Sequence, residues 1–435
     1  MADFARSEHP AVQRQLDRLA KVSMIGDRLG LERIAQLLDR LGRPQDALPP
    51  AFHVAGTNGK GSTCAFLRAA LEAAGHKVHV FTSPHLVRFN ERIRLAGRLI
   101  DDEPLAALLE EVIDADTGIE SSFFEVTTAA ALLAFARTPA DAAVIEVGLG
   151  GRLDATNIIE QPVACGIAAL GIDHRDFLGD RLAGIATEKA GIAKHGVPLL
   201  TQLYRPSISE RVGEVARAAG ARWLPRGGQW DAIVGRDTLR YRDSAGPLDL
   251  PLPRLPGRHQ AMNAALAVAM LRHQSALSIP ASALSAAMGW TDWPARMQRL
   301  GPGPLTTLAA GSEIWLDGGH NASASRAIAL FARRHFADGM PMVLLFASLT
   351  SKDPEAVLRP LRGIAAEVRT LPIEGHDSFA PTELAALART LGFTASAHAS
   401  LETAHSGVPA GSRVMIFGSL YLAGQALAAN GQAPD

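Results

Sequence analysis

Short apolar runs that alternate with helical patterns constrain the fold of this chain more than any other feature. The runs at residues 52–55, 78–81, 143–147, 163–169 and 197–200 are nearly free of charged side chains. Such runs are typical of strands that are buried on both faces of a sheet. Because helical patterns separate them, the sequence predicts an α/β fold whose first domain contains a mostly parallel sheet of the P-loop type.

The character of the sequence changes near the middle of the chain and again near residue 300. Between Trp223 and Pro256, short segments and turns predict a small antiparallel excursion, and a helix is predicted at 260–273. Prolines and glycines then cluster between Trp293 and Pro304, as they often do between domains. Further strands are predicted at 313–316, 342–346, 366–371 and 413–417. We therefore expect a first domain at residues 1–295, a linker at 296–304 and a smaller Rossmann-like α/β domain at 305–435.

Composition excludes several classes of partner. The formal net charge of −1 and the absence of long charge runs argue against nucleic acid as a partner. Cys64 and Cys165 are the two cysteines, and no CxxC or Cys/His cluster surrounds them, so neither a disulfide framework nor a zinc site is indicated. The most apolar internal stretch, at 126–136, is too short to span a bilayer, and the N-terminus lacks an apolar signal region. We expect a soluble, cytoplasmic protein that binds no membrane.

A glycine-rich turn joins the predicted strand at 51–55 to a helical pattern that runs through Leu71. Its residues are Gly56, Thr57, Asn58, Gly59, Lys60, Gly61 and Ser62. Small residues at such a turn allow backbone N–H groups to face phosphates, while Lys60 can offset phosphate charge and the Ser62 hydroxyl can bind Mg²⁺. The strict P-loop spacing is not met, because Gly61 separates Lys60 from Ser62. A glycine-rich turn that holds no ligand is the alternative.

Polar residues also follow other predicted strands, at the edge where open α/β sheets build their sites. Glu146 ends an apolar strand and could meet a metal bound at Ser62, although a solvated carboxylate at a strand end is the alternative. Asp173 and His174 follow the next strand, and a lone histidine is more often structural than a ligand. The run from Asp317 to Asn321 repeats the pattern in the second domain, where Asp and Asn can equally cap a helix.

These motifs together resemble one family over nearly the whole chain, namely the folylpolyglutamate synthase/dihydrofolate synthase enzymes, which are relatives of the Mur ligases. The resemblance rests on ordered motifs at 53–62, 82–86, 123–127, 146–157, 173–179, 188–192, 259–264, 317–321 and 418–421. Mur ligases normally carry an additional substrate domain before the phosphate loop, whereas about fifty residues precede Gly56 here. That difference favours the folate branch of the superfamily.

The resemblance implies an ATP-dependent ligase that first phosphorylates a pterin-linked carboxylate and then joins the acyl group to the amine of L-glutamate. Lys60 and the loop amides would hold the phosphates in the first, ATPase-type domain. Ser62 and Glu146 would bind one Mg²⁺, and Glu146 and His174 would bind a second. Lys189 matches a lysine that is carbamylated in this family, which would convert an ammonium into a metal-binding anion. Without the family, pairing of Lys189 with Glu188 or a nearby carboxylate on a solvated helix is the simpler interpretation.

The resemblance also assigns the remaining contacts. The nucleotide would be bound by Asn263, Arg296, Asp317 and His320. The pterin or folate would meet Ser83, Pro84, Phe124, Arg152 and Asp154, although Phe124 could equally be a core residue. The glutamate site is the least defined and would include His376 and Ser378. The family implies a monomer, and a monovalent cation could assist the reaction.

Two positions depart from the family pattern. Ala295 stands where glycine is common before Arg296, and Ala322 stands where proline usually follows the Asp317–Asn321 run. The sequence leaves three alternatives open beside the bifunctional ligase: a folylpolyglutamate synthase alone, a Mur-type ligase, and a nucleotide-binding protein that forms no amide bond. The last of these leaves Glu146, His174 and Lys189 without a joint purpose.

Overall fold

The computed structural model describes residues 5–22 and 29–434, and these form two compact units. The first unit consists of the described chain up to Gly171 together with Arg175–Arg254 and His259–Asp292. The second consists of Ile172–His174, Leu255–Arg258 and the chain from Trp293 onwards. No helix within the described ranges combines the length and the apolar character that a bilayer crossing needs.

A large sheet organises the first unit. Its strands are β1 (Ala51–Ala55), β2 (Val78–Phe81), β3 (Ile93–Leu95), β4 (Arg98–Leu99), β5 (Ala142–Glu146), β6 (Ala164–Ile167), β7 (Pro198–Thr201) and β8 (Arg222–Pro225). They are ordered β4-β3-β2-β5-β1-β6-β7-β8, and only β3 pairs antiparallel with its neighbours β2 and β4. The predicted mostly parallel sheet is confirmed.

The first unit also contains helices. They are α1 (Pro10–Val22), α2 (Glu32–Arg40), α3 (Lys60–Ala73), α4 (Asp102–Ala115), α5 (Phe123–Arg137), α6 (Arg175–Leu178), α7 (Leu182–Ala190), α8 (Pro206–Ala218), α9 (Arg258–His273) and α10 (Ala281–Trp290). The helix α5 is buried along most of its length and packs in one core cluster with α1, α2 and α4, while α7 and α8 pack in another. Ser122 and Glu125 form a capping box that fixes where α5 begins.

A separate antiparallel sheet confirms the predicted excursion. Its strands β9 (Trp230–Val234), β10 (Thr238–Asp243) and β11 (Gly246–Pro251) are ordered β11-β10-β9. Arg272 on α9 donates two hydrogen bonds of 2.7 Å to the Asp243 carboxylate, and its guanidinium lies over the Tyr241 ring. This bidentate pair attaches the small sheet to α9.

The second unit is a smaller α/β layer. Its strands are β12 (Gln298–Arg299), β13 (Glu313–Asp317), β14 (Met342–Phe346), β15 (Ala365–Thr370), β16 (Thr394–Ala397) and β17 (Arg413–Phe417), ordered β12-β13-β17-β14-β15-β16. All pairings except that of β12 with β13 are parallel. The helices are α11 (Pro304–Leu308), α12 (Ala322–His335), α13 (Pro354–Leu358), α14 (Pro381–Thr390), α15 (Leu401–His405) and α16 (Leu420–Ala429).

Candidate active site

The glycine-rich turn connects β1 directly to the first turn of α3. Gly59 is the residue before α3, and its φ of 87° lies in the left-handed region that glycine adopts at little cost. The N–H groups of Thr57 and Asn58 donate to the Ala169 carbonyl, at 2.8 and 3.2 Å, and the Thr57 hydroxyl donates to the Gly171 carbonyl. These amides therefore anchor the turn. The N–H groups of the first turn of α3, which have no acceptor inside the helix, are the groups suited to an anion.

Asn263 supports this turn from α9. A Cβ atom added at Gly59 would lie 2.4 Å from Asn263 Oδ1, so the backbone of the turn and this side chain are in close contact. The Asn263 Nδ2 group donates to Gln260 Oε1 at 3.1 Å, which fixes the amide orientation. Asn263, which was predicted to bind the nucleotide, therefore lies against the glycine-rich turn.

Glu146, Lys60 and Ser83 meet at the carboxyl edge of the sheet. Glu146 is the last residue of β5, which lies between β2 and β1, and it pairs in register with Val54. Its Oε1 atom is 3.8 Å from Lys60 Nζ, and its Oε2 atom accepts a hydrogen bond of 3.4 Å from the Ser83 N–H group. Glu146 is buried, so a positive charge beside it, that of Lys60 or of a bound cation, is needed to stabilise its negative charge.

The Ser62 hydroxyl fits a divalent cation. Ser62 Oγ is buried in the first turn of α3 and has no hydrogen-bond partner among the described residues. A hydroxyl oxygen at a helix N-terminus and a nearby carboxylate are the oxygen donors that Mg²⁺ accepts, with waters and substrate phosphates as its other ligands. No group of three or more His, Cys, Asp or Glu side chains within residues 5–22 and 29–434 forms a metal cage.

The turn after Glu146 is interlocked with α7. A Cβ atom at Gly151 would lie 2.6 Å from the Glu188 carbonyl oxygen and 3.0 Å from Lys189 Cα. Arg152 forms an ion pair of 2.9 Å with Glu188. Lys189 itself is buried, with 4% of its surface exposed. The glycine thus allows the turn to approach the backbone of Lys189, which places this lysine beside the turn that begins at the end of β5.

Phe124 and Asp154 border the same turn. The Phe124 ring lies over Gly148, where an added Cβ would be 2.3 Å from the ring. Asp154 is almost fully buried, and burial raises the pKa of its carboxyl group above the usual value, although hydrogen bonds from Leu149 and Thr156 oppose this effect. Ser83 and Pro84, joined by a cis peptide bond, follow β2. The candidate pterin residues thus flank the turn after β5 or the end of β2.

In the second unit, Asp317 organises the segment that carries Arg296. The Asp317 carboxylate accepts hydrogen bonds from the N–H groups of Met297 and Gly319, at 2.9 and 2.8 Å. Arg296 donates to the Ala295 carbonyl at 2.9 Å, and its Nη1 atom would lie 2.9 Å from a Cβ atom at Gly318. Two of the nucleotide candidates, Asp317 and Arg296, therefore form one cluster.

The two departures from the family pattern are accommodated locally. Ala295 has a φ of 57°, so it adopts the left-handed conformation that glycine adopts more readily. Ala322 is the first residue of α12, and Asn321 caps that helix by accepting a hydrogen bond of 3.0 Å from the Ala324 N–H group. Proline is favoured at a first helical position but alanine also suits it.

Asp173 is the centre of a charged cluster in the second unit that the sequence did not reveal. Its carboxylate accepts hydrogen bonds from Lys352 Nζ at 2.6 Å and Asn321 Nδ2 at 3.0 Å, and lies 3.2 Å from His320 Nε2. Burial would raise the pKa of Asp173, but the hydrogen bond with His320 and the charge of Lys352 outweigh burial and lower it far below its usual value. His174 lies next to this cluster with a φ of 50°.

The glutamate candidates lie in a different turn of the second unit. The His376 ring stacks on the Tyr421 ring with a centroid separation of 3.8 Å. Ser378 Oγ accepts a hydrogen bond of 3.2 Å from the Ile373 N–H group. The hydrogen bond closes the turn, and the ring contact packs it against α16, so each candidate has a local structural role beside any contact with a ligand.

Comparisons with known proteins confirm the family resemblance, although no family model matches the chain. The chain is 35% identical over 348 residues to the Escherichia coli dihydrofolate synthase/folylpolyglutamate synthase, covering 80% of this chain and 78% of that protein. It superposes on E. coli FolC in complex with DHPP and ADP with a TM-score of 0.85, at 29% identity, covering 95% of this chain and 97% of that one. A bifunctional folylpolyglutamate synthase/dihydrofolate synthase with Mn, AMPPNP and L-glutamate bound gives a TM-score of 0.84 at 28% identity, covering 97% and 99% of the two chains.

Proposed function

Since the chain belongs to the dihydrofolate synthase/folylpolyglutamate synthase family, we propose that it is an ATP-dependent ligase that joins L-glutamate to 7,8-dihydropteroate and to reduced folates. The observation that carries this proposal is the arrangement at the carboxyl edge of the large sheet. There the buried Glu146 carboxylate lies 3.8 Å from Lys60 Nζ, and the Ser62 hydroxyl has no hydrogen-bond partner among the described residues.

The reaction divides into two steps because a carboxylate is a poor electrophile. In the first, a carboxylate oxygen of the pterin substrate attacks the γ-phosphorus of ATP, and ADP leaves. In the second, the amine of glutamate attacks the acyl carbon, phosphate leaves, and the amine loses a proton. Lys60 and the first N–H groups of α3 would stabilise the phosphate oxygens where charge develops.

The divalent cation and its ligands are part of the proposal. Ser62 and Glu146 would hold a first Mg²⁺, and His174 with a carbamylated Lys189 would contribute to a second. A bound divalent ion would supply charge neutralisation at the transferring phosphoryl group. Carbamylation of Lys189 is proposed from the family resemblance, because it would replace an ammonium that repels a cation with a carbamate that could bind one. Lys189 lies beside the turn at Gly151, which begins at the end of β5.

The pterin substrate would bind around the turn after β5, which packs against α7. Phe124 over Gly148 offers an aromatic face for the pterin ring, with Ser83, Pro84, Arg152 and Asp154 as further contacts. Asn263 on α9 would contact the nucleotide, as would Arg296, Asp317 and His320. His376 and Ser378 would contact glutamate. We propose that the active species is a monomer. Its mass, measured by sedimentation of the enzyme under assay conditions, tests this.

Product identification by mass tests the function. The purified protein is incubated with ATP, Mg²⁺, a monovalent salt and L-glutamate, with either 7,8-dihydropteroate or a reduced folate. Dihydrofolate from the first and a glutamate-extended folate from the second are expected, and both should be lost in Lys60→Ala. Extension alone would restrict the function to folylpolyglutamate synthesis. No glutamate-containing product from either substrate would refute the proposal.

A further inference from the structure

A buried chain of polar side chains lies beneath the turn that follows Glu146. His53 on β1 is fully buried, and its Nε2 atom lies 2.8 Å from Thr156 Oγ1. Thr156 is also fully buried, and its hydroxyl donates to Asp154 Oδ1. None of these contacts is local to β1, because His53 and Thr156 are 103 positions apart in sequence. A histidine in an otherwise apolar central strand therefore has a specific polar partner at the active-site turn.

The direction of the hydrogen bonds follows from the number of protons. The Thr156 hydroxyl has one proton, which it donates to the Asp154 carboxylate, so it can only accept from His53. His53 Nε2 must then carry a proton and donate it. Burial and the charge of Lys194 lower the pKa of His53 to about 3, so the ring is neutral. In this tautomer the other nitrogen, Nδ1, carries a lone pair and no proton. It is buried and has no hydrogen-bond partner among the described residues.

Asp154 transmits this arrangement to the turn. Its Oδ2 atom accepts a hydrogen bond of 2.7 Å from the Leu149 N–H group, and its Oδ1 atom accepts one of 3.1 Å from the Thr156 N–H group. The carboxylate thus joins the two ends of the turn. Between those ends lies Gly151, which contacts Lys189, and just before them lies Gly148 beneath the Phe124 ring.

We propose that His53 and Thr156 are positioning residues that fix Asp154, and with it the pterin-binding face of the turn after β5. The proposal rests on the proposed function in one respect, which is that Asp154 and Phe124 border the pterin. Loss of the Thr156 hydroxyl would leave a His53 N–H group without an acceptor and would remove one of the donors to Asp154. The carboxylate would then be held by backbone N–H groups alone, such as those of Leu149 and Thr156, so its position would be less fixed and the pterin would bind a less ordered face.

Two isosteric substitutions at Thr156 test this role. Thr156→Val keeps the shape and removes the hydroxyl, whereas Thr156→Ser keeps the hydroxyl. We expect Thr156→Val to raise the KM for dihydropteroate about tenfold while the KM for ATP changes less than about twofold, and Thr156→Ser to stay within about twofold for both. A residue with only a structural role would lower the melting temperature without this difference between substrates. An unchanged KM for dihydropteroate in Thr156→Val, or equal changes for both substrates, would overturn the proposal.

A second pair of variants covers the case in which Thr156→Val does not fold. His53→Gln retains an N–H donor near the position of Nε2, and His53→Leu does not. We expect His53→Leu to weaken equilibrium binding of dihydropteroate to the ADP-loaded protein about tenfold and His53→Gln to restore most of that loss. Equal binding by the two variants would refute the role of the hydrogen bond. This readout needs no turnover, so it is separate from the function test, in which the unmodified protein itself must form the glutamate product.

Discussion

The contact between Gly59 and Asn263 makes the glycine-rich turn before α3 unusually sensitive to a single methyl group. In Gly59→Ala, the new Cβ atom would lie 2.4 Å from Asn263 Oδ1 and 2.9 Å from Asn263 Cγ, well inside van der Waals contact. The amide cannot rotate away freely, because Asn263 Nδ2 donates to Gln260. The alanine would also keep a φ of 87°, which strains any residue except glycine.

The two penalties can be separated with a control in the same strand–helix unit. Gly75, just beyond the C-terminus of α3, has a φ of 90°, and a Cβ atom there would meet no atom of the described chain within 4 Å. Gly75→Ala should therefore lose only the backbone term, about 1–2 kcal/mol of unfolding free energy. Gly59→Ala should lose that amount and a further 1–3 kcal/mol, roughly, for the overpacked contact.

Urea unfolding measures both losses, and ADP release at varied ATP measures the effect on the site. We expect the KM for ATP to rise at least about tenfold in Gly59→Ala, which corresponds to about 1.4 kcal/mol, and to stay unchanged in Gly75→Ala. Equal stability losses in the two variants, together with an unchanged KM for ATP in Gly59→Ala, would refute the assignment of this turn and of Asn263 to the nucleotide.

Two further predictions concern the turn after β5 and the buried histidine. Gly151→Ala should lower kcat at least about tenfold, because its Cβ would meet the backbone of Glu188 and Lys189. In the control Gly184→Ala, within α7, the atom nearest to the new Cβ would be 3.9 Å away, so steady-state kinetics should be unchanged. Urea unfolding of this control should show a gain in unfolding free energy of about 0.5–1 kcal/mol. Similar kinetics in the two variants would contradict the close packing of the turn after β5 against α7. The pKa of His53 is lowered to about 3 in the folded protein. As pH falls below about 6.5, His53 of the unfolded chain therefore binds a proton while His53 of the folded protein does not. The free energy of unfolding should fall by up to about 1.4 kcal/mol per pH unit until the pH approaches 3. His53→Gln should lack this pH-dependent loss of stability. Urea unfolding compares the variant with the unmodified protein, and a stability difference that stays constant between about pH 7 and 5 would contradict a buried neutral ring.

Apolar strands were predictable from the sequence because burial on both faces leaves a continuous signal. The strands predicted at 78–81, 342–346 and 413–417 coincide with β2, β14 and β17. The helix predicted from 260 begins instead at Arg258, where no Ser, Thr, Asp or Asn marks its start. The two-residue strand β12 was not predicted, because a pair of polar residues carries no periodic pattern.

Polar partners that are distant in sequence could not be predicted in the same way. The motif residues around Lys60 and Glu146 were identified from their positions at strand ends, where the topology of a parallel sheet brings side chains together. By contrast, Lys352 pairs with Asp173 across 179 positions, and nothing in either local sequence encodes that pairing. Thr57 was assigned to ATP, yet its N–H group is used by Ala169 within the fold, a detail that depends on how two loops pack.

The fate of one oxygen atom tests the central claim most directly. Dihydropteroate labelled with oxygen-18 in its carboxylate is converted in the presence of ATP, Mg²⁺ and L-glutamate, and the released phosphate is examined by mass. If the carboxylate attacks the γ-phosphorus and glutamate then displaces phosphate, each phosphate carries one labelled oxygen and each dihydrofolate retains the other. Unlabelled phosphate accompanying dihydrofolate would contradict an acyl phosphate and the account of Lys60 and Glu146 built on it.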